Sequence, residues 1–204
     1  MAWPQLLAHP DVTTTVVLAS EVGLLAYHGG LETGTFEIAT AAARRTGASL
    51  YAVRQPETLR WHVPSVEVDP AVDPGLASFL SRVRIALSIH GYRRRDRPWD
   101  ILLGGQNRSL AAAVADALRD AFDGVILVEG VTGVGDALNE VRVVDELAAI
   151  PPSLRGLHPA NPVNLPAGGG VQIELPYRLR RSPEHLARVA DALVAVLGGS
   201  RLRT

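Results

Sequence analysis

The chain has 204 residues, a formal net charge of -1, 47% hydrophobic and 20% charged residues, and no cysteine. That balance suits one globular domain spanning 1–204 and gives no reason to expect a nucleic-acid or other polyanionic partner. It also excludes disulfides, thiolate metal sites and cysteine nucleophiles, so any metal would be held by histidine and carboxylate. All the basic residues are arginine. We read this bias as a GC-rich genome's codon usage rather than recognition chemistry, although arginine's planar fork suits carboxylates.

The N-terminus "MAWPQLLAHPDV" lacks a basic segment followed by a long apolar core, and no stretch reaches the length of a membrane span. A cytoplasmic protein is the expectation. In chain order, "TTTVVLA", "GLLAY", "SLYAV", "VRIALSI", "DILLGG", "GVILVE" and "GVQIEL" are apolar runs of strand length. Alanine-rich segments with helical periodicity alternate with them, the pattern of an α/β layer fold. "TGTFEIATAAARRTG" predicts a helix capped by Thr33 or Thr35 and stopped at Gly47, and "NRSLAAAVADALRDAF" one capped by Asn107 and ended before Gly124. "SPEHLARVADALVAVLGG" has a serine cap, proline in the first turn and a double-glycine stop, and should pack on one sheet face. Two proline-rich stretches, 54–75 and 150–170, are long enough to be functional loops.

Three polar signals stand at strand ends, where open α/β sheets place ligands. In "LLAYHGGLETGT", His28 leaves a strand, Gly29 and Gly30 permit a tight reversal, and Glu32 returns to the same point. A histidine and a carboxylate on one loop can ligate zinc, or Glu32 can simply favour the helix start electrostatically. In "VRIALSIHGYRR", His90 follows an apolar strand in the same His-Gly context. Two histidines and a carboxylate leave a fourth position open for water, the catalytic form of a zinc site. In "GGGVQIELPYRLRR", Gln172 and Glu174 share one strand face. An edge strand with a wet face explains that pattern, but a zinc hydrolase also needs a carboxylate off the metal to move protons, and Glu174 suits that role.

Other candidates are weaker. His9 and His185 lie in polar surroundings, His62 is in the first proline-rich loop, and His158 is held in reserve as an outer group. Asp96 or Asp100 could orient a ligand histidine. Gly133 and Gly135 lack the full spacing of a dinucleotide loop.

Taken together, "HGGLETGTFEIA", "SIHG", the "GG" after a strand, "NPVN" and "GVQIEL", in that order, resemble the poly-gamma-glutamate hydrolase family over about Leu24 to Arg181. The resemblance implies a zinc-carboxypeptidase-like three-layer α/β/α sandwich around a mixed, mainly parallel sheet. It implies one zinc ion on His28, Glu32 and His90, Glu174 as general base, and hydrolysis of an amide made through glutamate's side-chain carboxyl. Two departures stand out. The loop here is one residue shorter than the family's usual His-Gly-Gly-Gly-Ile-Glu, and Leu165 stands where relatives tend to carry arginine. Gln172, Asn164, Arg108 and Arg178 are the expected substrate contacts, with Arg180 a further substitute for the missing arginine. The expected partner is a small peptide or γ-glutamyl substrate; a silent relative that binds an acidic ligand or a protein is the alternative.

Overall fold

The computed structural model describes residues 2–127 and 139–199. The elements run α1 (Trp3–Leu7), β1 (Thr13–Val17), β2 (Val22–Gly29), α2 (Thr35–Thr46), β3 (Ser49–Arg54), α3 (Pro74–Arg82), β4 (Ile85–Tyr92), β5 (Asp100–Gly104), α4 (Arg108–Phe122), β6 (Ile126–Leu127), β7 (Asn139–Glu140), β8 (Arg142–Val144), β9 (Gly170–Pro176) and α5 (Pro183–Gly198). Seven strands form one sheet in the order β1-β3-β2-β4-β9-β5-β8, while β6 and β7 pair separately. The neighbours β3/β2, β2/β4, β4/β9 and β5/β8 are parallel; β1/β3 and β9/β5 are antiparallel. The sheet is therefore mixed and mainly parallel, as expected.

Strand alternation distributes the core between two faces. Leu24 and Ala26, Leu87 and Ile89, and Val171, Ile173 and Leu175 point to the face covered by α2, α4 and α5. Leu25, Tyr51 and Ala86 point to the other, covered by α1, α3 and parts of both long loops. Each large aliphatic or aromatic side chain fully removed from water contributes about 1.5–3 kcal/mol, enough for the faces to define the register.

Helix ends follow local chemistry. The Asn107 side chain accepts from Leu110 N–H at 2.9 Å, and Ser182 from His185 N–H at 3.4 Å, so both predicted caps hold. The α2 cap is corrected: it is Gly34, at φ 91°, and neither threonine. Thr35 is already helical, and its hydroxyl donates back to Glu32 C=O at 2.8 Å, tying the helix start to the preceding loop. The short α1 and α3 were not anticipated. The "GVILVE" strand is described only at Ile126–Leu127, and Gly133 and Gly135 lie outside the described residues. No helix among the described residues is long and apolar enough to cross a membrane.

Candidate metal centre

The carboxyl ends of β2, β4 and β9 meet on the α1/α3 side of the sheet. His28 reaches that side through an irregularity. In the pairing of β2 with β3, Ala26 faces Ala52 and Gly29 faces Arg54, so Tyr27 and His28 together oppose Val53. Regular alternation would send His28 with Leu24 and Ala26 into the helix-covered core. The extra residue turns it to the other face, a use of bulges common beside functional sites. Gly30 then reverses the chain at φ 83°, where a Cβ would come 1.8 Å from the Gln55 carbonyl oxygen. No residue with a side chain fits there.

The short His28–Glu32 loop closes on the strand ends. Glu32 Oε1 lies 3.1 Å from His28 Nδ1, and Oε2 lies 3.7 Å from His90 Nδ1 and accepts from Gly91 N–H at 2.9 Å. One ligating atom from each of His28, Glu32 and His90 falls within 4.8 Å of the others, and all three residues are buried. The outer partner of His28 is neither Asp96 nor Asp100, as the sequence suggested. Its Nε2–H donates to Val63 C=O at 2.8 Å, from the first proline-rich loop. That bond fixes the tautomer, so the neutral ring presents the Nδ1 lone pair to the cluster. Asp96 instead pairs with Arg94, and Asp100 with Arg97 and Arg142.

Electrostatics separate the group's protonation states. Burial alone would raise the Glu32 carboxyl, but His28, then His90 and the Gly91 N–H, outweigh it and bring it to about 2. Burial would lower His28, yet Glu32 and the Val63 carbonyl raise it. His90 is pulled down to about 4 by burial and by His28 and His62, against the attraction of Glu32. An ionised carboxylate beside a neutral imidazole is the form in which these groups bind a metal.

Glu174 is next to this cluster. It faces His90 directly across the parallel β4/β9 pair and is 4% exposed, because β9 is an interior strand and not the wet edge allowed for above. Burial, and then the charge of Glu32, raise its carboxyl well above the usual carboxylate range, against Gln172 and Arg180. Two nearby carboxyls pushed in opposite directions are a recognised arrangement for dividing proton-transfer roles. A buried relay orients Glu174: Asn161 Nδ2 donates to Gln172 Oε1 at 2.8 Å, and Gln172 Nε2 donates to Glu174 Oε1 at 2.8 Å.

A cleft of about 430 Å³ opens on the group, walled by both proline-rich loops, including His62, Pro64–Val66, Pro152–Leu154 and Gly156–His158. The other expected substrate residues separate. Gln172 lines the cleft, whereas Arg108 and Asn164 are spent on the backbone outside it. Arg108 donates to the carbonyls of Leu103, Gly105 and Asp145, and Asn164 to those of Gly156 and His158. Arg178 sits over the Trp99 ring at 5.7 Å in a neighbouring cleft. His158 lines the cleft but uses Nδ1 to accept from Ala160 N–H. Sequence reasoning undervalued His62, whose ring lies 4.8 Å from that of His28, and Asn161, present only as the first residue of "NPVN".

Arg180 occupies a special place. It is 5% exposed, and it donates through Nη1 to Thr33 C=O at 2.8 Å and through Nε to Leu175 C=O at 3.2 Å. Gly91 makes room for it: a Cβ there would come 2.3 Å from the guanidinium carbon. Burial lowers its pKa, and Glu32 and Glu174 oppose that.

A mixed α/β sheet with a buried His-Glu-His cluster at its strand ends defines a hydrolase fold of the zinc-peptidase-like class. Three solved structures share the fold. A bacteriophage poly-gamma-glutamate hydrolase aligns at TM-score 0.70 and 22% identity over 91% of this chain and 87% of the phage chain. Zinc-free apo YNDL aligns at 0.66 and 22% over 93% and 91%, and N-acetylmuramoyl-L-alanine amidase from Clostridium difficile 630 at 0.51 and 12% over 88% and 95%. No curated protein matches the sequence. The poly-gamma-glutamate hydrolase family model matches residues 5–183, and the chain belongs to that family. It is a hydrolase acting on amide bonds.

Proposed function

We propose that the protein is a zinc-dependent hydrolase of γ-glutamyl amide bonds, with His28, Glu32 and His90 as metal ligands and Glu174 as general base. The observation that carries this reading is the convergence of three buried ligating atoms beside a fourth, separately oriented carboxyl. The donor set fits zinc: His28 Nδ1 is buried and has no hydrogen-bond partner, although it lies 3.1 Å from Glu32 Oε1. Two ligands of one tetrahedral zinc stand roughly 3.3 Å apart, so this spacing suits a shared ion better than a hydrogen bond.

Zinc, when bound, would supply Lewis acidity toward the substrate carbonyl and toward water. The chain's own residues do the rest. A bound cation's positive charge would favour the ionised form of Glu174, against the burial and the Glu32 repulsion that raise its pKa. Glu174 then takes a proton from the attacking water and delivers it to the departing amine, while Gln172 and Asn161 hold the carboxylate in line. Arg180 lines the cleft that adjoins the metal cleft, and its Nη2 has no hydrogen-bond partner among the described residues, which suits a fixed cation for a substrate carboxylate. The γ-glutamyl preference rests on family membership.

The test combines metal analysis with hydrolysis of poly-γ-glutamate, γ-glutamyl dipeptides and peptides with ordinary α-linkages. About one equivalent of zinc and turnover of the γ-linked substrates are expected. A protein that holds under about a tenth of an equivalent after purification with zinc would sink the reading.

A further inference from the structure

We infer that an arginine-lined track leads away from the metal cleft and binds a run of carboxylates on an extended γ-linked polyanion, beyond the residue whose bond is cut. The inference rests on the hydrolase reading for the cleaved bond, and on independent observations for the track.

Three clefts join end to end. The metal cleft shares Glu32, His62 and Gly91 with a neighbour of about 660 Å³, which adds Arg60, Arg93, Arg180 and Arg181. That neighbour shares Arg93 and Tyr177 with a third of about 390 Å³, in which four of the six lining residues are Arg93, Arg94, Arg95 and Arg178. A chain with a net charge of -1 has thus concentrated cations along one path. The middle cleft contains Glu32 and Glu57 as its carboxylates; the third has none among its lining residues.

Arg94 pairs with Asp96, and Glu32 and Glu174 act on Arg180, but the other cations around Tyr177 are grouped more closely than their acids. The guanidinium carbons of Arg93, Arg181 and Arg180 lie 4.9, 5.7 and 5.9 Å from the centre of the Tyr177 ring, and Arg181 also donates to the Tyr177 hydroxyl at 2.8 Å. The ring's negative face draws cations together. Among the described residues, Arg93, Arg95 and Arg181 form no ion pair with a carboxylate, so like charges are held near one another and a bound anion would relieve the repulsion. In the middle cleft, Arg60 is the one non-glycine residue at positive φ among the described residues, 49°. Backbone held in that region against its preference is a feature of ligand-contacting sites.

A glutamate chain linked through side-chain carboxyls leaves one free α-carboxylate on every residue. Guanidinium pairs with such groups through two parallel hydrogen bonds, and aligned exposed cations also raise the capture rate of a polyanion. Arg95 lines only the third cleft and neither of the two nearer the metal ligands, so a γ-glutamyl dipeptide held at the metal cleft is not expected to use it.

The decisive comparison is between long poly-γ-glutamate and a γ-glutamyl dipeptide, using the zinc-loaded full chain and an Arg93→Ser/Arg95→Ser/Arg181→Ser variant. The polymer's KM should rise about 10- to 100-fold more than the dipeptide's, since each exposed ion pair contributes a few-fold. Arg44→Ser, an exposed arginine on α2 at the opposite face, should leave that ratio alone. Equal effects on both substrates, or none on the polymer, would overturn the track while leaving the hydrolase reading intact. Fluorescence anisotropy of labelled polymer on a Glu174→Gln background reads binding without turnover. Salt-sensitive binding lost in the triple variant supports the track even if wild type cleaves nothing, the outcome in which only the hydrolase reading fails. Displacement of the polymer by lower concentrations of an RNA oligonucleotide of equal charge would assign the surface to nucleic acid and refute the inference.

Discussion

Replacing Glu174 by glutamine separates chemistry from architecture. The substitution keeps size and shape, and Gln172 Nε2, which donates to Glu174 Oε1 at 2.8 Å, can donate equally to an amide oxygen. The three proposed ligands are untouched, so zinc content should stay near one equivalent. Activity should fall by about 10²- to 10⁴-fold, the usual contribution of a positioned proton-transfer group. The effect on stability has the opposite sign. In the metal-free protein, burial and the charge of Glu32 raise the Glu174 pKa above its ordinary 4.5. A raised acid is fully accommodated below that value and costs the folded state progressively as pH rises through the folded-state pKa. Metal-free wild type should therefore lose stability relative to the glutamine variant as pH climbs from about 4.5. Neutral-pH thermal unfolding of both, with zinc analysis and initial rates, checks all three quantities. A variant retaining zinc and more than about a tenth of wild-type kcat would refute the assignment of the base, since general-base loss costs far more.

Further outcomes follow from the same geometry. Glu32→Gln removes the carboxylate that faces both histidines, and should weaken zinc binding by more than the roughly 10- to 100-fold typical of outer-sphere changes, measured by competition with a chromophoric chelator. Asn161→Ala leaves the buried Gln172 Oε1 without its donor and frees Gln172 to turn away from Glu174; an unpaired buried acceptor costs about 1–3 kcal/mol, and kcat should fall more than KM changes. Gly30→Ala forces a Cβ against the Gln55 carbonyl and should destabilise the fold by roughly 3 kcal/mol in urea unfolding, with the His28–Glu32 loop distorted. Removing metal with a chelator should abolish hydrolysis and lower Tm, and added zinc should restore both, because an ion that binds only the folded state stabilises it.

The sequence itself carried the layer class, the strands β1 to β5 and β9 with the helices α2, α4 and α5, two of the three expected caps and the convergence of His28, Glu32 and His90. These depend on local period, on glycine after histidine and on strand-end placement, all of which short-range sterics express directly. Glu174 was legible as the carboxylate that a zinc hydrolase needs off the metal, and the family motif agreed, but alternation alone could not distinguish it from a wet edge residue; only the position of β9 between β4 and β5 buries it beside His90. Tertiary structure also decided the outer contacts. Val63 C=O, Asn161 and His62 come from proline-rich loops without periodicity, and a backbone carbonyl has no signature in a sequence. For the same reason, Arg108, Asn164 and Arg180 were equivalent polar letters until the chain closed around them. Packing committed the first two to backbone carbonyls and left Arg180 buried beside the two carboxylates. Local chemistry thus determined which groups leave the strand ends, and long-range packing determined which of them face one another.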